Sequence, residues 1–223
     1  MPSEQQVYQE HAGQYERLVD LEDYQHNILS AVERICPISG LDVIDLGAGT
    51  GRVTRLLAPH VGTIKAYDLS AHMLTRAQAT LHSLGLANWQ LGVADHRYLP
   101  QPDASADLLI SGWSFSYLAV WGGERWREAL EAGYQEIRRV LRPGGVVIFL
   151  ESLGTGHEVP THLEHLTGYF DWLAERGFQS TWIRTDYRFQ SLQEANVPRN
   201  ICITIQSPFL LIGVSTTAPD PFE

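Results

Sequence analysis

Short apolar runs alternate with longer amphipathic stretches along most of this chain of 223 residues. Runs rich in branched apolar residues predict strands at 41–46, 61–67, 89–94, 106–111, 146–150 and 180–189, with a last strand in part of 201–214. Such alternation of strands and helices is typical of a parallel sheet covered by helices on both faces. The pattern therefore predicts an α/β fold with a doubly wound, mostly parallel seven-stranded sheet.

Helices are predicted where apolar residues recur at three- and four-residue steps. Ser70 is placed to cap one such helix. The residues of its predicted buried face are Met73, Ala77, Leu81 and Leu84. Further helices are predicted at 124–141 and 161–176, and two at 4–18 and 22–35 precede the first strand.

The length of the chain fits one full domain with an appendage. We interpret 1–40 as an N-terminal helical lid or flank and 41–216 as a single α/β domain. The Pro-containing residues 217–223 are expected to form a loose tail.

Composition and charge narrow the possible partners. The formal net charge of −10 argues against a nucleic-acid partner, because phosphate binding calls for a basic surface. The longest apolar runs fall far short of the ~20 residues that a membrane helix needs, and the polar, acidic start is unlike a secretory signal. The two cysteines form no paired metal knuckle. We therefore expect a cytoplasmic protein that binds neither membrane nor nucleic acid.

A glycine-rich segment between a predicted strand and helix carries the main chemical signal. Its residues are Asp45, Gly47, Ala48, Gly49, Thr50 and Gly51. Glycines at the carboxyl end of a parallel strand let a ligand approach the backbone, and the following helix offers unpaired N–H groups. A dinucleotide fingerprint would place its third glycine at position 52, where the chain has Arg52. Asp68 follows Gly47 by about twenty residues, where a carboxylate can accept both hydroxyls of a ribose. A ribose occurs in dinucleotides and in other nucleoside cofactors, so Asp68 does not distinguish between them.

Five motifs in this order resemble those of the class I S-adenosylmethionine-dependent methyltransferases, over roughly 8–195. They lie at 45–51, at 67–70 with Met73, at 94–96 with Leu99 and Pro100, at 107–113, and at 141–145. The resemblance implies a Rossmann-like methyltransferase fold. It also implies the cofactor S-adenosylmethionine, methyl transfer to a small-molecule acceptor by in-line displacement, and release of S-adenosylhomocysteine.

The resemblance assigns cofactor contacts by position. Gly47, Gly49 and Gly51 would line the methionine portion, Asp68 would hold the ribose, and Asp95 would accept from the adenine amino group. The remaining residues implied are Tyr15, which could close over the cofactor, Asp45, Ala48, Thr50, Leu69, Met73, His96 through its backbone, and Ser111 and Gly112 through their carbonyls.

The cofactor carries a sulfonium and an ammonium, so its site should be acidic and aromatic, with Trp113 and Tyr117 as candidates for cation–π or substrate contacts. Displacement at an activated methyl carbon depends mainly on alignment. A general base is needed only when the acceptor must lose a proton, and the candidates are Tyr117, Glu151 and His157. The histidines near Glu158 lack a metal-binding spacing, so no metal is expected.

Two other functions stay open. A nicotinamide-dependent oxidoreductase would share the strand–glycine–helix unit and Asp68. A cofactor-binding paralogue without turnover would keep the binding motifs.

The end of the chain departs from the family pattern. Residues 197–200 interrupt that pattern, and they are followed by alternating isoleucines at 201–205 and an apolar run at 209–214.

Overall fold

Seven strands form one sheet in the order β3-β2-β1-β4-β5-β7-β6. The computed structural model describes residues 21–153, 160–161, 163–189 and 209–216 of the chain. The strands are β1 (Asp42–Leu46), β2 (Thr63–Asp68), β3 (Trp89–Val93), β4 (Ala106–Gly112), β5 (Leu141–Ser152), β6 (Gln179–Arg184) and β7 (Phe209–Thr216). The first five strands pair in parallel, whereas β7 runs antiparallel between β5 and β6.

Six helices accompany the strands in the described part of the chain. They are α1 (Asn27–Ile35), α2 (Arg52–Leu57), α3 (Ala71–Ser83), α4 (Tyr117–Val120), α5 (Trp126–Val140) and α6 (Thr167–Glu175), with 3-10 turns at Gly123–Arg125 and Glu164–Leu166. No helix of these ranges is long and apolar enough to cross a membrane.

The strand order places β1 and β4 side by side at the centre of the sheet. The chain leaves β1 toward one edge of the sheet and returns through β4 to build the other side. Ligands of open α/β sheets bind at such a switch point, outside the carboxyl ends of the strands. The loops that follow β1 and β4 therefore define where a ligand would lie.

Alternating side chains of the central strands feed two apolar cores. In β5, Ile148 and Leu150 join the core on one face, together with residues of α1 and α2. Val147 and Phe149 join the opposite core, which α5 and α6 cover. This period of two is the geometry of a pleated strand buried on both faces, so the sheet forms a rigid platform for the loops at its edge.

Most predicted elements are present with altered boundaries. The helix predicted at 22–35 begins only at Asn27, because the Asp23 carboxylate accepts the N–H groups of Asn27 and Ile28 at 2.8 and 2.9 Å. The helix predicted at 161–176 starts at Thr167, after a 3-10 turn. The strand predicted at 180–189 ends at Arg184. The helix predicted at 4–18 and the tail at 217–223 lie outside the described residues.

The fifth strand is longer than predicted. The helix was predicted to end at 141 and the next strand to span 146–150, but β5 begins already at Leu141. Its pairing with β4 jumps from Ala106–Leu141 to Leu108–Val146. Gly144 and Gly145 thus lie where the pairing of β5 with β4 is irregular.

Gly133 of α5 gives a test of the packing between α5 and the loop after β4. A Cβ at this position would lie 2.9 Å from side-chain carbons of both Phe115 and Leu118. We expect Gly133→Ala to lower the free energy of unfolding by about 1–3 kcal/mol through overpacking, although alanine favours an exposed helix by about 1 kcal/mol. Urea denaturation measures the change.

Gly168→Ala in α6 is the matched control. Its Cβ would approach only the edge of the Trp126 ring, at 3.3 Å. The expected change is within about 1 kcal/mol, since helix propensity and the mild contact oppose each other. Equal losses in the two variants would contradict the packing explanation.

Candidate functional site

The loop after β1 wraps tightly around the end of β2. The N–H groups of Gly47 and Ala48 both donate to the carbonyl oxygen of Tyr67, at 2.7 and 2.9 Å. Gly47, Gly49 and Gly51 have φ values of 79°, 55° and 86°, in the left-handed region that side chains with a Cβ rarely adopt. The glycines thus let the backbone reverse between β1 and α2 within a few residues.

The three glycines are close to different neighbours. A Cβ on Gly51 would lie 3.1 Å from the Cβ of Ala77, so this glycine lets α3 approach the loop. A Cβ on Gly47 would lie 1.8 Å from the Oγ atom of Ser114. Only at Gly49 is the nearest atom at ordinary contact distance, 3.7 Å away on Met73. Gly49 therefore offers the most open face for a ligand in this loop.

Asp68 ends β2 directly beside this loop. Its Oδ2 atom accepts the N–H of Gly49 at 2.8 Å, and its Oδ1 atom accepts the N–H of Ser70 at 2.7 Å. Burial raises the pKa of Asp68, and the two N–H groups work against that rise. Each carboxylate oxygen keeps a further lone pair, so the group can still accept two hydroxyls.

Exposed apolar residues border this acidic group. Leu69 follows Asp68 with 61% of its surface exposed, and Val93, paired with Asp68 across β2 and β3, is 58% exposed. Met73 is buried, and its Cε atom lies 3.7 Å from the Cβ position of Gly49. Large apolar side chains left open at the carboxyl edge of two strands fit the flat face of a ring system.

Asp95 is held by its neighbour Arg97. The Nε and Nη2 atoms of Arg97 donate to the two carboxylate oxygens at 2.8 and 2.7 Å, and its backbone N–H adds a third bond. These hydrogen bonds lower the pKa of Asp95, so the carboxylate stays ionised at neutral pH. It is available as an acceptor only through lone pairs that Arg97 leaves free.

The side chain of His96 lies inside the site, where the sequence indicated only its backbone. Its ring stacks on Phe115, and its Nε2 atom is 3.1 Å from the Oγ atom of Ser114. Burial lowers the pKa of His96 to about 4, so the imidazole is neutral at pH 7. Together, His96 and Ser114 fill the side of the loop that faces Gly47.

Asp45 and Ser111 lie below the surface of the site. Asp45 is fully buried, and its Oδ2 atom accepts the hydroxyl of Thr54 at 2.5 Å. Its Oδ1 atom and the Oγ atom of Ser111 have no hydrogen-bond partner among the described residues. Burial raises the pKa of Asp45 to about 7. Asp45 can therefore be neutral or charged near physiological pH.

A second buried acid lies at the end of β5. The Oε2 atom of Glu151 accepts the hydroxyl of Ser116 at 3.1 Å, and burial raises the pKa of Glu151 to about 7. Tyr169 is buried as well, and its burial together with the negative charge of Glu151 raises the pKa of the Tyr169 hydroxyl. Tyr169 was missed by the sequence analysis, where it was one more aromatic residue in a predicted helix. Tyr117, another predicted candidate, stacks on the ring of Trp121.

A cluster around Arg52 closes the side of the site next to β4. The Arg52 guanidinium lies 4.0 Å from the ring centroid of Trp113 and 3.0 Å from Glu22. Trp113 has a φ of 52°, and its N–H donates to the carbonyl of Leu150. Sequence analysis noted Arg52 only as the residue that replaces a glycine, because its partners lie far away along the chain.

The remaining predicted site residues lie either outside the described ranges or in packed parts of the fold. Tyr15 and His157 lie outside the described residues. Ala48 is buried, and so is Thr50, within the loop. A Cβ on Gly112 would lie 3.0 Å from Val53, so that face packs inward. In the described ranges, no group of three or more metal-ligating side chains could hold a metal ion.

Comparisons with known proteins agree with this architecture. Residues 44–149 match the family described as a methyltransferase domain. A ubiquinone/menaquinone biosynthesis C-methyltransferase from Rubrivivax gelatinosus is 32% identical over 148 residues, covering 65% of this chain and 54% of the relative. A malonyl-[acyl-carrier protein] O-methyltransferase from Marinomonas sp. is 34% identical over 130 residues, covering 57% and 44%. The chain thus spans about half the length of the curated relatives it matches.

Solved structures share the fold at low identity. A SAM-dependent methyltransferase from Aquifex aeolicus superposes with a TM-score of 0.60 and 16% identity, covering 85% of this chain and 88% of that one. The [4+2]-cyclase SpnF gives the same TM-score with 18% identity, covering 87% and 81%. These structures confirm the predicted Rossmann-like methyltransferase fold. The family match over 44–149 and the matched relatives together support a class I S-adenosylmethionine-dependent methyltransferase.

Proposed function

We propose that this protein transfers the methyl group of S-adenosylmethionine to a small-molecule acceptor and releases S-adenosylhomocysteine. The observation that carries the proposal is the hydrogen bond between the Gly49 N–H and Asp68. It brings an open glycine turn and a carboxylate together at the switch point of the sheet, which suits an adenosyl group with an attached amino acid. The relatives include a C-methyltransferase and an O-methyltransferase, so they favour no single nucleophile.

The site residues fit the parts of this cofactor. We place the ribose hydroxyls on the Asp68 carboxylate, whose two oxygens each keep a free lone pair. The adenine ring would lie against Leu69 and Val93, with its amino group toward Asp95. The methionine end would pass Gly49 toward the carbonyls of Ser111 and Gly112, where Tyr15 is the predicted cover.

When bound, the cofactor supplies a methyl carbon activated by a sulfonium. The task of the chain is then to align the acceptor with that carbon and to exclude water. The rigid strand ends hold the loops after β1 and β4 on either side of the reacting centre. The carboxylates of Asp68 and Asp95 beside these loops make the local field favourable for a cation.

Glu151 is our candidate for handling a proton. With a pKa of about 7, its carboxyl can accept or release a proton near neutral pH. Only 3% of its surface is exposed. A proton would therefore reach Glu151 through the Ser116 hydroxyl, which already donates a hydrogen bond to it. This role applies to acceptors that lose a proton on methylation, and Tyr117 and His157 are the other candidates.

We also propose that 41–216 form one catalytic domain and that 1–40 are its flank. Ile28 and Val32 of α1 are buried in the same core as Ile148 and Leu150 of β5. The described part of the flank is therefore packed on the sheet, as a cover beside the site would need to be.

Calorimetry and an acceptor panel test the proposed function. S-adenosylmethionine and S-adenosylhomocysteine should bind at one site per chain, while NADH should not. Release of S-adenosylhomocysteine is then measured with phenols, amines, quinols, carboxylic acids and acyl-carrier thioesters. Binding of NADH alone would overturn the cofactor assignment, and cofactor binding without turnover on any acceptor would favour a non-catalytic paralogue.

Asp68→Asn tests the ribose contact. We expect S-adenosylhomocysteine to bind about 1–3 kcal/mol more weakly, because one acceptor oxygen of a charged group is replaced by an amide donor. Isothermal titration calorimetry measures the affinity, and thermal melting shows whether the fold survives. Asp42→Asn at the opposite end of the sheet is the control, since Asp42 bonds to Thr63 and Arg142. An unchanged affinity in Asp68→Asn would refute this placement.

Gly47→Ala tests the close approach of the glycine loop to Ser114. The added methyl would displace the Ser114 side chain and with it the hydrogen bond to His96. We expect a loss of stability and a weaker binding of S-adenosylhomocysteine, measured by melting and calorimetry. Gly144→Ala is matched, because Gly144 has the same φ of 79° and nothing within 4 Å of the new Cβ. It should show the backbone strain of about 1–2 kcal/mol without the loss of affinity.

Glu151→Gln tests the buried acid through pH. The folded chain keeps the Glu151 proton up to about pH 7, whereas the unfolded chain releases it at the ordinary value of 4.5. Stability of the natural protein therefore falls as pH rises between these values. The free energy of unfolding of Glu151→Gln, relative to the natural protein, should rise by about 1–3 kcal/mol over that window and then level off.

Urea denaturation between pH 4 and 8 measures this difference. Glu128→Gln is the control, because Glu128 is exposed and its hydrogen bond with Arg125 lowers its pKa, which confines its effect to lower pH. Parallel stability curves for Glu151→Gln and the natural protein would show that Glu151 is not protonated in the folded state.

A further inference from the structure

Arg52 is held in a fixed position at the edge of the site. It is the first residue of α2, directly after the glycine loop. Its guanidinium lies over the Trp113 ring at 4.0 Å, and its Nη1 atom pairs with Glu22 at 3.0 Å. Only 15% of its side chain is exposed. The guanidinium is therefore ordered before any ligand arrives.

The two N–H groups on one nitrogen of this guanidinium are left over. The Nη2 atom of Arg52 is buried and has no hydrogen-bond partner among the described residues. An unsatisfied buried donor costs free energy, and a charged one costs more than a neutral one. A ligand oxygen at this atom would remove that cost.

The neighbouring carboxylates are already committed. Glu22 accepts the Thr185 hydroxyl at 2.9 Å and the Tyr187 hydroxyl at 3.2 Å, besides pairing with Arg52. Asp23 accepts two N–H groups at the start of α1. Neither carboxylate can turn toward Nη2 without breaking bonds of its own, so the missing acceptor must come from elsewhere.

Trp113 gives an independent sign of function. A tryptophan with a φ of 52° is a backbone outlier, and such strain persists only where the surrounding structure enforces it. Here the Trp113 N–H is tied to the Leu150 carbonyl at 2.7 Å. The strained backbone directs the indole against Arg52. Because the ring covers one face of the guanidinium, an incoming oxygen must approach Nη2 in the guanidinium plane.

The position of this cluster separates it from the adenosine end of the cofactor. Arg52 follows the loop after β1, and Trp113 follows β4, so the two residues lie on either side of the switch point. Asp68 and Leu69, where we place the adenosine, lie at the end of β2 on the other side of β1. The cluster is thus on the β4 side of the site, opposite the ribose and beside the path that we propose for the methionine end. The carboxylate of that methionine would add a third negative group next to Glu22 and Asp23, so it is a less favourable partner for Nη2 than a neutral oxygen of the acceptor.

We propose that Arg52 recognises the methyl acceptor by donating from Nη2 to a carbonyl or carboxylate oxygen of that molecule. This inference rests on the proposed function and names the acceptor class: a compound with such an oxygen close to the carbon, oxygen or nitrogen that receives the methyl group. Glu22 and Asp23 already balance the guanidinium, so a neutral carbonyl oxygen is favoured over a carboxylate.

Binding of three small phenyl compounds tests this assignment without turnover. Benzamide, benzoate and benzylamine share a ring and carry a neutral carbonyl, an anionic carboxylate and a cation. Their dissociation constants are measured by ligand-observed NMR on the full chain saturated with S-adenosylhomocysteine. The variants are Arg52→Met, Arg52→Lys and, as a control in the same helix, Arg55→Met.

We expect benzamide or benzoate to bind the natural protein and Arg55→Met alike, and Arg52→Met at least about tenfold more weakly. Arg52→Lys should recover part of this loss, because it restores a charged donor. Benzamide binding more tightly than benzoate supports a neutral carbonyl, and the reverse order supports a carboxylate. Benzylamine should bind none of the proteins.

Three results would overturn the inference: equal affinities in the natural protein and Arg52→Met, no saturable binding of either oxygen compound, or equal binding of benzylamine. Affinity for S-adenosylhomocysteine is measured for each protein and should be unchanged in all variants. A loss of this affinity in Arg52→Met alone would assign Nη2 to the cofactor carboxylate and would also overturn the inference. If the natural protein does not bind S-adenosylhomocysteine, the proposed function is refuted. If it binds S-adenosylhomocysteine but its affinity for benzamide and benzoate does not depend on Arg52, only the acceptor site is refuted.

Discussion

The structure of the site depends on the close approach of the β1 loop to the strands and helices around it. The backbone of this loop donates to Tyr67 and Asp68 on β2, and its glycines lie against α3 and the segment after β4. The approaches at Gly47 and Gly51 are possible only because these residues lack a Cβ, and their positive φ values let the chain reverse there. One short turn thereby fixes the Asp68 carboxylate beside the loop after β1.

The polar groups around this turn divide into two layers. At the surface, Asp68 and Asp95 are held by N–H and guanidinium donors and point to the edge where a ligand would lie. Below it, Asp45 and Glu151 are buried with few partners, and burial brings their pKa values to about 7. The upper layer is suited to hold a cationic ligand, and the lower layer can exchange protons near neutral pH.

The sequence predicts the parts of this site that are local along the chain. The strand–glycine–helix unit and Asp68 follow from short-range patterns, and so do the five-motif order and the family. The Arg52 cluster could not be predicted in this way, because Glu22, Trp113 and Tyr187 come from distant segments and meet only when the sheet forms. The same holds for the side chain of His96, whose place beside Gly47 depends on Ser114. The late start of α1 depends on the rotamer of Asp23, which no periodicity reveals.

Asp45 would couple uptake of the proposed cationic cofactor to proton release, since its Oδ1 atom has no hydrogen-bond partner among the described residues. A positive charge brought close to the β1 loop would favour the ionised form of this carboxyl group, whose pKa burial raises to about 7. By linkage, cation uptake then expels a fraction of a proton into the medium. The apparent enthalpy of complex formation would consequently vary with the ionisation heat of the chosen buffer, and affinity would strengthen toward alkaline solution.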